Sequence, residues 1–86
     1  MRYTLLWDAQ VLEDLKLFDR KSARKLVEKI SSYLIQDPFH LGKSLSGNLR
    51  GLMRYRIGDY RVIYCIDGST VSILKIAHRK EVYQKS

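Results

Sequence analysis

The stretch LMRYRIGDYRVIY, residues 52–64, constrains the fold more than any other part of the chain. Gly58-Asp59 stands between two runs that are rich in β-branched and aromatic residues. A two-residue Gly-X connection of this kind favours a tight hairpin turn. We therefore predict paired antiparallel strands at residues 52–57 and 60–66.

Side chains alternate across a strand, so the predicted hairpin has two different faces. One face is apolar and aromatic and consists of Met53, Tyr55, Ile57, Tyr60, Val62 and Tyr64. The other face carries Arg54, Arg56 and Arg61, with Arg56 directly opposite Arg61. Because like charges across a strand pair repel, this face suggests an anionic partner. The alternative is a solvated polar face whose long side chains spread into water.

Composition supports one basic domain, residues 1–86. A hydrophobic content of 45% is enough for a packed core. Sixteen Lys and Arg against nine Asp and Glu give a net charge of +7, which favours nucleic acid or an acidic partner. The single Cys65 excludes an internal disulfide and fits a small apolar filler in a reducing cytoplasm. No export signal or membrane span is recognisable.

The rest of the chain supplies the partners of this hairpin. In order, the pattern predicts a strand at 2–7, a helix at 9–18, a second helix running to about 36, a loop at 39–51 and, after the hairpin, a strand at 70–77. Asp8 and Asp19 are the predicted helix N-caps. The order β-α-α-β-β-β predicts an α+β domain, with a helical hairpin packed on one face of a mostly antiparallel sheet.

The register of the last strand stays open at this point. A two-residue turn at Asp67-Gly68 would place His78 on the face of Arg61, whereas a three-residue turn would place Arg79 there, together with Lys75 and Ala77. A bulge at the strand end could bring both candidates to the edge of the face that carries Arg61. His78 and Arg79 are therefore both candidate site residues.

Two other groups of polar residues have ordinary interpretations. The second helix carries a basic run that includes Lys21 and Lys25, and this is typical of the solvated side of an amphipathic helix, although it could also contact a phosphate backbone. His40 lies in the predicted loop with Lys43 as its only basic neighbour, so we expect it to be structural or exposed.

Two segments, RYRIGDYRVIY at 54–64 and IAHRKEVY at 76–83, resemble the RelE/ParE superfamily of toxins from type II toxin–antitoxin pairs. The resemblance extends over the whole chain and includes the loop motif LSGNLRG at 45–51. It implies a RelE-like fold. RelE-like members cut ribosome-bound mRNA, whereas ParE-like members inhibit DNA gyrase.

The RelE-like branch implies a metal-independent endoribonuclease in which the 2′-hydroxyl attacks the adjacent phosphate. Carried over by position, the residues implied are Arg54, Arg56, Arg61, Arg79 and Tyr83. Guanidinium groups suit the negative charge that grows on the phosphoryl oxygens. Tyr83 would stack on a base or take part in proton transfer.

This chain has arginines at Arg54 and Arg56, where some relatives have lysines, and arginine is a poor general base. His78 is the first candidate for the base because its reference pKa is near 6.5, with Lys80, Glu81 and Tyr83 as substitutes. The ordinary alternative for His78 is a strand-end histidine bonded to backbone. We expect no metal and no other cofactor, because the His, Cys and carboxylate residues have no ligand spacing.

The implied partners are mRNA on the ribosome and a cognate antitoxin with an acidic, partly disordered segment. The toxin–antitoxin complex would bind operator DNA through the antitoxin. Two other functions stay open from the sequence: a ParE-like gyrase inhibitor without catalysis, and a decayed toxin that only binds its antitoxin.

Overall fold

The computed structural model describes residues 2–79 of the chain. The elements are, in order, β1 (Thr4–Trp7), α1 (Ala9–Leu17), α2 (Arg20–Ser32), a 3₁₀ turn (Leu34–Gln36), α3 (Pro38–Leu41), β2 (Lys43–Ser44), a second 3₁₀ turn (Gly47–Leu49), β3 (Met53–Ile57), β4 (Tyr60–Asp67) and β5 (Thr70–His78). α3 is a single helical turn and β2 is a strand of two residues.

The strands of this part of the chain form one five-stranded sheet in the order β1-β5-β4-β3-β2. β1 runs parallel to β5, and the other neighbouring pairs are antiparallel. The helices pack on one face of the sheet. The predicted α+β architecture is therefore confirmed, and the opposite face of the sheet is left without a covering helix in the part of the chain that the structure describes.

Both predicted helix caps are confirmed. The Asp8 side chain accepts a hydrogen bond from the backbone N–H of Gln10 at 2.8 Å, and the Asp19 side chain accepts one from Ser22 at 3.0 Å. These bonds satisfy N–H groups that have no partner within the first turn of a helix. The bonds from Ser22 also lower the pKa of Asp19.

The core lies between the helices and the sheet. Its buried members are Val11, Leu26, Ile30, Leu34, Met53, Ile57, Val62, Tyr64, Val71, Ile73 and Ile76. Leu26 and Ile30, four residues apart, share one face of α2, and Leu34 of the following 3₁₀ turn extends the buried row. Leu12, Val27 and Tyr33 lie outside this core and are exposed.

The segment predicted as a loop at 39–51 contains regular structure, so that prediction was wrong in part. The second helix ends at Ser32, a 3₁₀ turn follows, and Pro38 then opens α3 at the first helical position. Proline suits that position because the first N–H groups of a helix have no intrahelical acceptor. β2 adds to the edge of the sheet, with Lys43 opposite Arg54 and Ser44 opposite Met53.

The charged residues on the outer side of α2, including Lys21 and Lys25, are exposed to solvent, as predicted. α2 is the longest helix among the described elements. Within residues 2–79, no helix has the length and apolar character needed to cross a bilayer.

Candidate nucleic-acid interface

The β3–β4 hairpin has the register that the sequence predicted. Arg56 is paired with Arg61, Arg54 with Ile63 and Tyr55 with Val62. Gly58 adopts a φ of 57° in the turn, which favours glycine at this position. The apolar side of the hairpin is buried at Met53, Ile57, Val62 and Tyr64, so the three arginines lie on the opposite, open face of the sheet.

A β-bulge in β5 decides the register that the sequence left open. Asp67 pairs with Thr70, so the connecting turn is Gly68-Ser69, one residue later than the two-residue turn considered above. The pairing then shifts, because Tyr64 is opposite Ile73 whereas Ile63 is opposite Lys75. Leu74 is the extra residue of this bulge, and an extra residue exchanges the two faces of the strand beyond it.

The bulge puts the residues after Leu74 on faces that a regular strand would not give them. Ala77 is paired with Arg61, so it shares the open face, whereas His78 is paired with Tyr60 on the helix side. The next residue along the chain, Arg79, therefore follows the row of Arg61. This outcome matches the arrangement expected for a three-residue turn, although the turn itself has two residues.

Arg56, Arg61 and Arg79 line one shallow depression together with the residues of the hairpin turn, Gly58, Asp59 and Tyr60. The backbone N–H of Arg79 donates to the carbonyl oxygen of Asp59 at 2.6 Å, which fastens the end of β5 to the turn. Three arginines from three strands or strand ends therefore border the same small surface. A planar guanidinium can donate two parallel hydrogen bonds to a phosphate, so this cluster is chemically suited to an oxyanion.

His78 lies on the other side of the strand from this depression. Its ring meets the Tyr60 ring edge-on, with the centroids 4.9 Å apart at an interplanar angle of 87°. Tyr60 in turn packs against Phe18 at 4.9 Å. His78 is thus part of an aromatic row that connects the sheet to the end of α1, near the end of β5.

A second, larger hollow of about 210 Å³ lies beside the depression, at the outer edge of β3. It is lined by Leu41, Lys43, Arg54, Tyr55 and Arg56. Arg56 borders both surfaces. Burial and, to a smaller extent, Tyr33 raise the pKa of Tyr55, so this phenol keeps its proton at neutral pH.

Sequence reasoning missed Lys43 because the segment around it was predicted to be a loop. The segment contains no β-branched or aromatic residue between Gly42 and Asn48, so it carries no strand signal. A hydrogen bond elsewhere holds the segment in place: the Tyr64 hydroxyl donates to the carbonyl oxygen of Pro38 at 2.6 Å. Gly42 passes so close to this hydroxyl that a Cβ at its position would overlap the Tyr64 side chain.

The structure places the remaining candidates as follows. His40 is exposed and its Nδ1 lies 2.9 Å from a carboxylate oxygen of Asp37, which agrees with the expectation of an exposed residue. Lys75 donates to Asp14 of α1 at 3.4 Å. Tyr83, Lys80 and Glu81 lie outside the described residues. Across residues 2–79, no three His, Cys, Asp or Glu side chains are grouped so that they could hold a metal ion.

The sequence matches a known family over residues 5–83, described as the ParE toxin of the type II toxin–antitoxin system, parDE. The chain is a toxin of the RelE/ParE superfamily. The resemblance inferred from the two sequence segments is thereby confirmed.

Two relatives support the same assignment. Toxin RelE of Mycobacterium tuberculosis is 38% identical to this toxin over 84 residues, which is 95% of this chain and 87% of the relative. Toxin RelG of the same organism is 32% identical over 87 residues, covering 99% of this chain and 100% of the relative. The toxin therefore matches proteins named for one branch of the superfamily and a family named for the other.

A solved structure shows the same fold. A chain in the crystal structure of the toxin–antitoxin complex RelBE2 from Mycobacterium tuberculosis superposes on the toxin with a TM-score of 0.87 at 32% identity, covering 92% of this chain and 100% of that chain. A chain in the archaeal RelE–RelB complex from Pyrococcus horikoshii gives a TM-score of 0.71 at 29% identity, covering 92% and 97%.

Proposed function

We propose that this toxin is an endoribonuclease that cleaves mRNA in the ribosomal A site without a metal ion. The observation that carries the proposal is the convergence of Arg56, Arg61 and Arg79 on one depression of the open sheet face. Identity of 38% to a protein named toxin RelE supports the same branch. The whole chain, residues 1–86, would act as a single toxin domain in the cytoplasm.

The reaction would be a transesterification at the scissile phosphate. The 2′-hydroxyl loses its proton to a base and its oxygen forms a bond to phosphorus, while the bond to the 5′-oxygen breaks and that oxygen takes up a proton. The products are a 2′,3′-cyclic phosphate and a 5′-hydroxyl. Negative charge grows on the phosphoryl oxygens during this step, and fixed cations stabilise that charge more than the ground state.

Each candidate residue has a proposed role in this step. Arg56, Arg61 and Arg79 would bind the phosphoryl oxygens, and Arg54 would bind the RNA backbone beside them. Tyr83 would stack on a base or donate the proton to the leaving oxygen. His78 would accept the proton of the 2′-hydroxyl from the end of β5, since arginine stays protonated at neutral pH.

The proposed protein partner is a cognate antitoxin whose acidic, partly disordered segment neutralises the basic face. Complexes with RelB are the context of the solved structures described above. The helices also present a groove of about 550 Å³, whose apolar lining includes Leu15, Ala23 and Val27. An amphipathic antitoxin helix could cover such a groove. The assembled complex would bind operator DNA through the antitoxin.

A ParE-like gyrase inhibitor is the second candidate, because the matching family is described as the ParE toxin. The two functions differ in what they require of the open face. A nuclease needs its arginines at a reacting phosphate, whereas a gyrase inhibitor needs only a surface that fits the enzyme. Cleavage of RNA therefore separates them.

The test expresses the toxin briefly in cells and maps mRNA ends by primer extension. Wild type and an Arg24→Gln control should produce cuts in phase with codons, and Arg61→Gln should produce none. Arg24 is a suitable control because it is an exposed arginine of α2, on the far side of the sheet from the depression. Equal melting temperatures of the purified proteins would exclude a loss of fold.

Two outcomes would contradict the proposal. Inhibition of gyrase supercoiling by the purified toxin, without cuts in mRNA, would establish the ParE-like function. Normal growth of the expressing cells, with neither cuts in mRNA nor inhibition of gyrase, would indicate a decayed toxin that retains only antitoxin binding.

A further inference from the structure

Lys43 forms a second like-charged pair on the open face. It stands opposite Arg54 across the β2–β3 pair, as Arg56 stands opposite Arg61 across the β3–β4 pair. Like charges that face each other across a strand pair destabilise a sheet. Two such pairs, two residues apart along β3, indicate that the face is built to meet more than one negative charge.

Among residues 2–79, no negatively charged side chain is paired with Lys43. The hollow beside it is lined by three cations, Lys43, Arg54 and Arg56, together with Leu41 and Tyr55, and has no carboxylate in its lining. None of the ion pairs found within residues 2–79 involves any of these three cations. A phosphate bound in the hollow would supply the missing charge.

We propose that this hollow binds the phosphate next to the scissile phosphate, with Lys43 as a further RNA-binding residue. The inference rests on the proposed nuclease function and adds a subsite to it. Arg54 and Arg56 are separated by two residues of strand, roughly 6.5 Å. Consecutive phosphates of an extended single strand can match this separation, and Arg56, which borders both surfaces, would lie between them.

The hollow fits RNA better than an acidic peptide because it continues directly into the arginine depression. Because Arg56 borders both surfaces, a strand with its scissile phosphate in the depression would reach Lys43 where it crosses β3. Tyr55 borders the hollow from the helix side of β3, where its ring lies 6.4 Å from the Tyr33 ring, so the contacts to a phosphate would come from the cations of the open face.

The segment that precedes Lys43, which consists of α3 and Gly42, holds this residue in place. The buried bond from Tyr64 to the carbonyl oxygen of Pro38 fixes α3, and the close approach of Gly42 to Tyr64 leaves little freedom to the residue before Lys43. The ammonium group is therefore presented by an anchored edge strand. Such preorganisation lowers the cost of ordering a binding residue.

The test measures cleavage on ribosomes programmed with mRNA, at increasing ribosome concentration. Lys43→Gln should raise the half-saturating concentration about two- to fivefold, as expected for one exposed ion pair, and leave the maximal rate unchanged. Lys43→Arg should retain the wild-type value. Lys21→Gln, which removes an exposed lysine from α2, serves as the matched control and should have no effect.

A second pair of substrates identifies the phosphate. Each mRNA carries one uncharged methylphosphonate linkage, either on the 5′ side or on the 3′ side of the scissile phosphate. In one of these two mRNAs the Lys43→Gln effect should disappear, because the charge that Lys43 binds is already absent. The affected mRNA also reveals in which direction the strand crosses β3.

Four results would overturn the subsite. An unchanged half-saturating concentration would remove Lys43 from binding, while cleavage by wild type would leave the proposed function intact. An effect that persists with both neutral linkages would assign Lys43 to ribosomal RNA. Unchanged cleavage together with weaker binding of an acidic peptide would assign the hollow to a protein partner. Absence of cleavage by wild type itself would refute the proposed function and the subsite together.

Discussion

Replacing Tyr64 with phenylalanine should weaken the fold at neutral pH and remove part of its sensitivity to alkali. The Tyr64 side chain is fully buried, and its hydroxyl donates to the carbonyl oxygen of Pro38 at 2.6 Å. Phenylalanine fills nearly the same volume but leaves that carbonyl without its donor. A lost buried hydrogen bond of this kind reduces the free energy of unfolding by about 1–2 kcal/mol.

The pH dependence follows from the same burial. Burial, with smaller contributions from Tyr55 and Asp37, raises the pKa of Tyr64 from 10.0 to about 12. Between these values the unfolded chain releases the phenolic proton while the folded protein keeps it. The stabilisation is therefore complete below pH 10 and is lost as the pH rises. From pH 9 to pH 11 the loss is about 1.3 kcal/mol.

The assay is urea unfolding of wild type and Tyr64→Phe, followed by far-ultraviolet circular dichroism at pH 8, 9, 10 and 11. Comparison of the two proteins cancels the titration of lysines and of the other tyrosines. The advantage of wild type should be largest near pH 8 and should shrink by about 1.3 kcal/mol at pH 11. Parallel stability curves for the two proteins would refute the assignment of a buried, protonated phenol to Tyr64.

Two further predictions test the open face and the close approach at Gly42. Arg56→Gln should abolish or strongly reduce cleavage. It should also raise the free energy of unfolding by about 0.2–0.5 kcal/mol at low salt, because it relieves the repulsion between Arg56 and Arg61. This gain should vanish in 1 M salt, and a loss of stability at low salt would contradict the prediction. Gly42→Ala should lower the free energy of unfolding by about 1–3 kcal/mol, because the new Cβ displaces the Tyr64 hydroxyl. The decrease should be smaller when Tyr64 is already replaced by phenylalanine. Equal decreases in denaturant titrations of both backgrounds would refute this reason.

Local rules were sufficient for much of the candidate site. The Gly58-Asp59 turn fixes which residues face each other in the hairpin, and alternation then places Arg56 and Arg61 on the same face. The caps at Asp8 and Asp19 likewise depend only on their neighbours in sequence. Such features are predictable because each is decided within a few residues along the chain.

Features that depend on distant partners could not be predicted. Lys43 becomes part of the site only because β2 pairs with β3, and no strand propensity marks that segment. Asp14 is buried although it is charged, because Lys75, distant in sequence, supplies a partner at 3.4 Å. The two bonding groups meet only after α1 has packed against β5.

The position of His78 shows most clearly which features the sequence alone decides and which depend on the tertiary structure. The sequence by itself determined a basic hairpin face, an α+β order of elements and membership of the toxin superfamily. It left the face of His78 open, since Val71, Ile73, Leu74 and Ile76 are all apolar and allow either register. Ile73 and Ile76 are both buried, and two residues three apart cannot share one face of a regular strand. Only the bulge at Leu74 buries both, so core packing decided that Arg79 follows the row of Arg61 while His78 joins Tyr60.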